Sequence, residues 1–247
     1  MSHDDPSDQL IYGISHDLRG PLLNFQGFLR RLRNGCDLVQ SQAEHWNLTS
    51  EQRRVCNGTL EQKVWSSLQI LDQNARRMER LVDALLKVSR AGREPVQPEH
   101  LRTEEMVRNI ACELRGQAAC KAELVVGALP DLWADPTRMV EIFRHLLGNA
   151  LKFLHRERTG LVTVGGTRSD GEDICWVRDN GIGIRSQEFD HLFVPFGRLR
   201  EIDVPGEGIG LAIVHKLLRQ QGGRVWVESV HGEGSTFYLA LPTGAAP

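Results

Sequence analysis

The sequence predicts an α + α/β chain, in which a helical hairpin that pairs with a second copy into a four-helix bundle precedes a mixed α/β domain. Glycine is sparse in residues 1–100, which hold 6 of the 24 glycines, and the other 18 follow. Glycine is a poor residue for a helix interior. Apolar residues recur at spacings of three and four in the first part, whereas the second part alternates helical patterns with short β-branched runs.

The first predicted helix starts near residue 8 and carries an almost unbroken apolar seam. Its one irregularity is two successive spacings of four at Ile14, Leu18 and Leu22, a stutter that alters the supercoil locally. The whole seam consists of Ile11, Ile14, Leu18, Leu22, Phe25, Leu29, Leu32, Cys36, Val39, Ala43 and Trp46.

His16 lies on the opposite face of this helix, since at about 100° per residue it is about 200° from both Ile14 and Leu18. Pro21 follows and has no N–H to donate to the Asp17 carbonyl, so we expect the helix to bend there. Most exposed histidines have no special role. A stutter and a proline close by make His16 a candidate functional residue.

The second predicted helix carries a regular heptad seam. The chain must reverse within residues 47–58, where Thr49 or Ser50 is expected to cap the second helix. Two helices with such narrow seams bury little, so we expect two hairpins to pair into a four-helix bundle. The seam residues are Val64, Leu68, Leu71, Ala75, Met78, Val82 and Leu85.

The second part begins after a linker with the sequence AGREP, which ends the second helix. We expect helices over residues 103–119, 136–154 and 211–221, strands over 124–126, 162–165 and 174–178, and a hairpin of 224–229 and 236–241. The predicted divisions are a tail (1–7), the helical hairpin (8–92), the linker (93–98) and the second domain (99–243).

Composition excludes several classes of function. The net charge of −2 provides no electrostatic footprint for nucleic acid. No apolar run approaches the roughly 18 residues of a membrane-spanning helix. Five cysteines without a CxxC pair indicate reduced thiols and a cytoplasmic protein, and the nine histidines lack zinc-ligand spacing.

Two stretches of the second part carry side chains suited to nucleotide chemistry. In HLLGNALKF, Asn149 and Lys152 lie three apart on one helix face, where an amide oxygen suits Mg²⁺ and an ammonium suits phosphate. In VRDNGIGI, Asp179 ends a strand as an acceptor for an exocyclic amine such as that of adenine, and Gly181 and Gly183 allow close backbone approach. Either pattern alone is as typical of an ordinary surface or turn.

A third stretch, GEGIGLAIVHKLL, places Gly206, Gly208 and Gly210 at the start of a helix. Backbone N–H groups at such a helix terminus can cradle phosphate. Other nucleotide-binding motifs fail: there is no GxxxxGK[ST] loop, the third glycine of the dinucleotide fingerprint is missing, and HRD and DFG motifs are absent.

Together these stretches resemble the transmitter region of sensor histidine kinases, from about residue 8 to 242. SHDLRGPL is similar to the family's phosphoacceptor box, HLLGNALKF to its N box, DNGIGI to its G1 box, LFVPFGRL to its F box and GEGIGLAI to its G2 box. The five boxes stand in the family's order. The run from the F box to the end resembles the phytochrome-like kinases most.

The resemblance implies an α/β sandwich that binds ATP and Mg²⁺, a mobile lid between about residues 186 and 205, and a hinge near residues 93–97. The γ-phosphoryl group would pass in line to His16. The implied roles are phosphoacceptor for His16, orientation of its ring for Asp17, Mg²⁺ ligand for Asn149, phosphate contact for Lys152 and Arg198, adenine recognition for Asp179, and pocket shape for Gly181, Gly183, Gly206, Gly208 and Gly210.

Four features depart from the family pattern. His145 stands where the family most often has an asparagine, and related ATPases have a catalytic glutamate there. Glu207 places an anion among the G2 glycines. Gly20 replaces a threonine or asparagine thought to orient water for dephosphorylation. The stretch from His16 to the end of the second helix is longer than usual.

The resemblance further implies a homodimer, a response regulator receiver domain as acceptor of the phosphoryl group, and a sensor domain either in a longer chain or in trans. We expect neither a nucleic-acid partner nor a membrane segment. Two alternatives stay open, namely a dimeric nucleotide-binding scaffold without phosphoryl transfer and an ATPase of the chaperone and topoisomerase type.

Overall fold

The computed structural model describes residues 6–43, 45–46, 48–59, 64–117, 122–155, 157–196 and 208–244. Contacts divide the chain into two units, one ending at Ser89 and the other beginning at Arg90. The first unit is helical and the second is an α/β domain. This order confirms the predicted fold class, whereas the pairing of two copies into a bundle remains a prediction.

The helical unit is an antiparallel pair of long helices. Helix α1 covers Pro6–Ala43 and helix α3 covers Ser66–Arg90. They contact each other through Gln26 and Glu79 (Nε2 to Oε2, 3.0 Å), and Trp65, directly before α3, donates from Nε1 to Gln40 Oε1 at 3.1 Å. The predicted seams supply the shared core, which consists of Leu22, Leu29, Ala75 and the partly buried Leu68.

A short helix α2, Ser50–Thr59, lies between the two long ones. Thr49 caps it as predicted, since Gln52 N donates to Thr49 Oγ1 at 3.3 Å and Thr49 N donates to Gln52 Oε1 at 3.0 Å. Asn57 and Gly58, two residues of low helix propensity, lie in the last turn of α2, and residues 60–63 that follow it lie outside the described residues.

Helix α1 continues through Pro21 without ending. The bend expected there stays a prediction. The backbone of His16 and Asp17 belongs to this helix, and their side chains lie outside what the structure describes. The expected outward direction of the His16 ring therefore stays a prediction.

The α/β unit contains a five-stranded sheet with the order β2-β4-β5-β7-β6 among the described residues. Strands β2 and β4 are parallel, and the remaining neighbours are antiparallel. The strands cover Ala122–Val126 (β2), Gly160–Ser169 (β4), Glu172–Asp179 (β5), Arg224–Val230 (β6) and Gly234–Pro242 (β7).

Three helices pack against one another and against this sheet, namely α4 (Thr103–Gln117), α5 (Pro136–Lys152) and α6 (Gly210–Arg219). Helix α5 contributes Phe143, Leu146 and Leu147, which are fully buried. Alternate residues of β5, such as Cys175 and Val177, are buried as well. This alternation places the carboxylate at the end of β5 on the same face as the helices.

A pair of three-residue strands was not predicted. Strand β1 (Glu99–Leu101) pairs antiparallel with β3 (Leu132–Ala134), and His100 lies opposite Trp133. Three residues carry too little periodicity to indicate a strand. The pair forms a separate two-stranded sheet directly before α5.

Candidate functional site

Asp179 ends β5 and is buried, with 6% of its surface exposed. Its Oδ1 accepts hydrogen bonds from the backbone N–H of Gly181 at 2.8 Å and of Ser235 at 3.3 Å. Burial raises the pKa of Asp179 to about 6, although both hydrogen bonds and the nearby Arg158 guanidinium oppose this rise. Both described hydrogen bonds use Oδ1, so within the described residues Oδ2 is left to accept a bond from a ligand.

The turn after Asp179 is packed so closely that side chains do not fit. A Cβ on Gly181 would lie 2.3 Å from the carbonyl oxygen of Phe153. Gly183 has a φ of +65°, and a Cβ there would lie 2.0 Å from the carbonyl oxygen of Val230. The two glycines let this turn pass between the end of α5 and the hairpin of β6 and β7.

We expect Gly183→Ala to lower the free energy of unfolding by about 2–4 kcal/mol, because it adds a backbone clash to a left-handed conformation that itself costs about 1–2 kcal/mol. Denaturant unfolding of the whole chain measures this. Gly232→Ala is the matched control, since Gly232 has a φ of +86° with open space around its Cβ position. Equal losses in the two variants would contradict the role of close packing.

Two residues that the sequence analysis missed hold this turn. Arg158 Nη2 donates to the carbonyl oxygens of Gly181 and, at 2.8 Å, of Gly232. Asn180 Nδ2 donates to the Thr159 carbonyl at 2.9 Å, and its Oδ1 accepts from Leu161 N at 2.8 Å. An asparagine after a strand end can signal such a local bond, whereas nothing in the sequence pattern distinguishes Arg158.

Helix α5 carries the predicted Mg²⁺ and phosphate residues at its C-terminal end. Asn149 is partly buried and Lys152 is exposed. The Nζ of Lys152 lies 4.9 Å from the centre of the Phe153 ring, within cation–π distance. The Phe153 carbonyl accepts from Ile182 N at 3.0 Å, so the end of α5 is fixed to the turn that follows Asp179.

His145 lies on α5 beside the start of α6. A Cβ on Gly210, the first residue of α6, would lie 3.0 Å from His145 Nδ1. The other ring nitrogen, Nε2, is 3.9 Å from Glu141 Oε1. The imidazole at the position of the expected asparagine therefore contacts the glycine-rich helix start directly.

Gly208 has a φ of +72°, and its carbonyl accepts from Phe196 N at 2.8 Å. This bond joins the F-box stretch to the start of α6. Arg198, Gly206 and Glu207 lie outside the described residues. Of the stretch expected to form a lid, Ser186–His191 is a 3₁₀ helix, and Phe193 contacts His215 with ring centres 6.1 Å apart.

The structure thus gathers two stretches around α5. The turn of Asp179, Gly181 and Gly183 meets its C-terminal end, and Gly210 meets its middle at His145. Helix α1, with His16 and Asp17, belongs to the other unit. Among the described residues, no three His, Cys, Asp or Glu side chains form a metal-binding group. No described helix is long and apolar enough to cross a membrane.

Comparison with known protein families gives two matches in sequence order. Residues 7–94 match the His Kinase A (phospho-acceptor) domain, and residues 134–245 match the histidine kinase-, DNA gyrase B- and HSP90-like ATPase family. The first match contains His16, and the second contains Asn149, Asp179 and Gly210.

Several curated relatives and solved structures are similar to the chain. The methanogenesis regulatory histidine kinase FilI of Methanothrix harundinacea is 29% identical over 96% of this chain and 24% of its own length. Cyanobacterial phytochrome B of Nostoc sp. is 30% identical over 95% of this chain and 29% of its own length. The full-length ShkA structure in complex with AMPPNP matches with a TM-score of 0.59 and 27% identity, over 97% of this chain and 47% of that one. The chain therefore spans about a quarter of the first two relatives.

Proposed function

Since the chain belongs to the sensor histidine kinases, whose phospho-acceptor and ATPase domains it carries in order, we propose that it is an ATP-dependent protein-histidine kinase. In this proposal, His16 accepts the γ-phosphoryl group of ATP and passes it to an aspartate of a response regulator receiver domain. The observation that carries the proposal is the buried Asp179 carboxylate, held through Oδ1 in a glycine-lined turn, in a chain that also has a phospho-acceptor domain.

The adenine base of ATP would be recognised by Asp179. Two backbone N–H groups hold Oδ1, so Oδ2 is oriented to accept from the exocyclic amine of adenine. A carboxylate discriminates adenine from a base that has a carbonyl oxygen in place of the amine, because the carbonyl and the carboxylate are both acceptors and cannot bond to each other. Gly181 and Gly183 have no side chains, so the backbone of the turn can approach the base closely.

The phosphates would lie between the end of α5 and the start of α6. Lys152 supplies an ammonium group, and the N–H groups at Gly208 and Gly210 lie at the positive end of a helix. We also propose phosphate contacts for Arg198 and Gly206. The partly buried Asn149 offers an amide oxygen to Mg²⁺, whose other ligands would be phosphate oxygens and water, as is usual for this ion. Bound Mg²⁺ would neutralise charge on the phosphates.

The transfer would use a neutral His16 ring as the nucleophile. A bond forms between its Nε2 and the γ-phosphorus while the bond from that phosphorus to the β,γ-bridging oxygen breaks, and ADP leaves. Asp17 would accept a hydrogen bond from Nδ1–H, which keeps the lone pair on Nε2, and would take up that proton once the bond from Nε2 to phosphorus has formed. Phosphohistidine would then donate the phosphoryl group to the carboxylate of the receiver aspartate.

A homodimer would cover the apolar stripe that α1 leaves open. In the single chain, the seam residues Leu18, Leu32 and Val39 are 48%, 57% and 43% exposed. Leu71 and Met78 of α3 are similarly open, at 40% and 44%. Apolar side chains at heptad spacing are typical of a helical bundle, so a second copy is the proposed partner.

The kinase would receive its signal from a sensor domain, either in the same longer chain or in trans.

Labelling with γ-³²P-ATP and Mg²⁺ tests the proposal. We expect a label on the chain that is lost in acid and stable in alkali, as a phosphoramidate is. Nucleotide binding without any label would favour a signalling scaffold. This alternative is considered because His145 stands at the position where an asparagine is expected. Release of inorganic phosphate without labelling would instead favour a simple ATPase.

We expect Gly20→Thr to increase dephosphorylation of the phosphorylated regulator severalfold, because a hydroxyl one helical turn from His16 can hold water that glycine cannot. A Cβ at Gly20 meets nothing within 4 Å, so the helix has room for threonine. The measurement is regulator dephosphorylation in the presence of ADP. Gly27→Thr, at an equally open position of α1, is the control. Strong phosphatase activity in the wild type would show that glycine does not impair this step.

A further inference from the structure

Arg138 of α5 is a buried cation that the proposed chemistry does not use. Its side chain is 6% exposed. It lies in the first turn of the helix, where the positive end of the helix dipole disfavours a cation. Asp135, the N-cap residue, offsets part of this cost, since its Oδ2 is 3.6 Å from Arg138 Nε. Helix stability therefore does not explain why an arginine occupies this position.

The other N–H groups of Arg138 bind the linker that leaves α3 and the end of α6. Nη2 donates to the carbonyl of Gly92 at 3.1 Å and to the carbonyl of Glu94. Nη1 donates to Gln220 Oε1 at 2.6 Å, at the end of α6. A guanidinium presents donors in a fixed fork, so one side chain can hold two carbonyls and an amide at once.

Asp135 binds the same linker from the other side of the pair. Its Oδ2 accepts from Gln97 N at 3.0 Å, while its Oδ1 caps Arg138 N at 3.1 Å. The Asp135 N–H donates to Gln221 Oε1 at 2.8 Å, which joins the start of α5 to the end of α6. One Arg–Asp pair therefore holds three backbone groups between Gly92 and Gln97.

Gly92 completes this docking site. Its φ of +68° lets the chain turn after α3, and a Cβ there would lie 1.9 Å from Gln220 Oε1. A side chain at this position would therefore have to displace the Gln220 amide, and the left-handed φ disfavours it as well. If residues 92–97 were released, Arg138 would lose two of its acceptors, the carbonyls of Gly92 and Glu94, and a cation with fewer acceptors in this largely buried position is disfavoured.

We infer that Arg138 is a positioning residue that makes residues 92–97 a fixed part of the ATP-binding unit. The pivot for the motion that carries ATP to His16 then lies outside residues 92–97, on the side of α3, rather than near residues 93–97 as the sequence suggested. The inference about motion rests on the proposed kinase activity. The docking of the linker does not, because it is visible in the hydrogen bonds themselves.

Hydrogen exchange on the full chain tests the docking directly. We expect Arg138→Met to reduce the protection of the Gln97 amide, because its acceptor Asp135 loses the arginine that holds it and the linker loses two donors, while Arg144→Met leaves it unchanged. Arg144 is the matched control, because it lies on the same helix and pairs with Glu113 at the surface, with 53% of its side chain exposed. Unchanged exchange in residues 92–97 of Arg138→Met would overturn the inference.

Autophosphorylation kinetics test the positioning role. A freed linker lengthens the tether between ATP and His16 and lowers their effective concentration. We expect kcat to fall about tenfold in Arg138→Met, with KM for ATP unchanged within about twofold. Arg138→Lys should restore little, since a lysine lacks the fork. A raised KM with an unchanged kcat, or lost protection with an unchanged kcat, would overturn the assignment of the pivot.

Gly92→Ala tests the same docking without removing the buried charge, and it decides the question if Arg138→Met fails to fold. Its Cβ would displace Gln220 Oε1, so we expect the same loss of protection and the same fall in kcat. Normal protection in this variant would overturn the inference. A wild type that never labels would refute the kinase proposal and with it the pivot, while exchange would still decide the docking.

Discussion

Replacing His16 with glutamine is expected to abolish acid-labile labelling of the chain while leaving ATP binding and dimer formation intact. Glutamine keeps polarity and approximate length but has no ring nitrogen to attack phosphorus. The loss is expected to be complete rather than partial, because the sequence has no other histidine within one helical turn of His16. Labelling with γ-³²P-ATP, followed by acid treatment, measures the effect.

The matched control for this substitution is His45→Gln. His45 is exposed, and its Nδ1 lies 3.0 Å from the Ser41 carbonyl in the same helical unit. We expect His45→Gln to label like the wild type. Full labelling of His16→Gln, or equal losses in both variants, would show that His16 is not the sole acceptor. Nucleotide affinity and mass in solution, measured in parallel, separate a lost acceptor from a lost fold.

Asp179→Asn is expected to stabilise the ligand-free protein and to weaken nucleotide binding. Burial raises the pKa of Asp179 in the folded state to about 6, above its ordinary value of 3.8. A group shifted upward contributes stability below its unfolded pKa and loses that contribution as the pH rises through the folded pKa. At pH 7.5 the wild type therefore bears the full cost of the charge, up to about 3 kcal/mol.

Asparagine removes this cost and keeps the local bonds, because its Oδ1 can still accept from Gly181 and Ser235. The gain should appear as a rise of several degrees in Tm. Its Nδ2, however, presents a donor to the adenine amine, which is also a donor. We expect affinity for ATP to fall about 100-fold, the effect of leaving a buried polar pair unmatched.

The pH dependence provides a second measurement. Wild-type affinity for ATP should decline as the pH falls below about 6, since a protonated Asp179 no longer presents two acceptor oxygens. Asp179→Asn should lack this decline. Asp170→Asn, in the exposed turn between β4 and β5, is the control and should behave as the wild type. Unchanged affinity and unchanged Tm in Asp179→Asn would contradict both the burial argument and the assignment to adenine.

The sequence alone was sufficient to predict those features that depend on neighbouring residues. The seam of α1, the cap at Thr49, and the strand that ends at Asp179 each depend on residues within one or two turns or on a period of two. The structure packs the two glycines of the G1 box against neighbouring backbone, and their expected role in shaping a nucleotide pocket stays a prediction. The roles of His16, Asn149 and Lys152 remain predictions that these local patterns and the family resemblance support.

Only the tertiary structure decided the contacts between distant parts of the chain. Strands β1 and β3 are too short to be recognised separately, and they exist because each supplies the other with backbone partners. Arg158 and Arg138 look like ordinary surface arginines in the sequence. One holds the turn that follows Asp179, and the other holds the linker that follows α3. What a guanidinium binds depends on which carbonyls the fold brings to it, and no pattern of neighbouring residues records that.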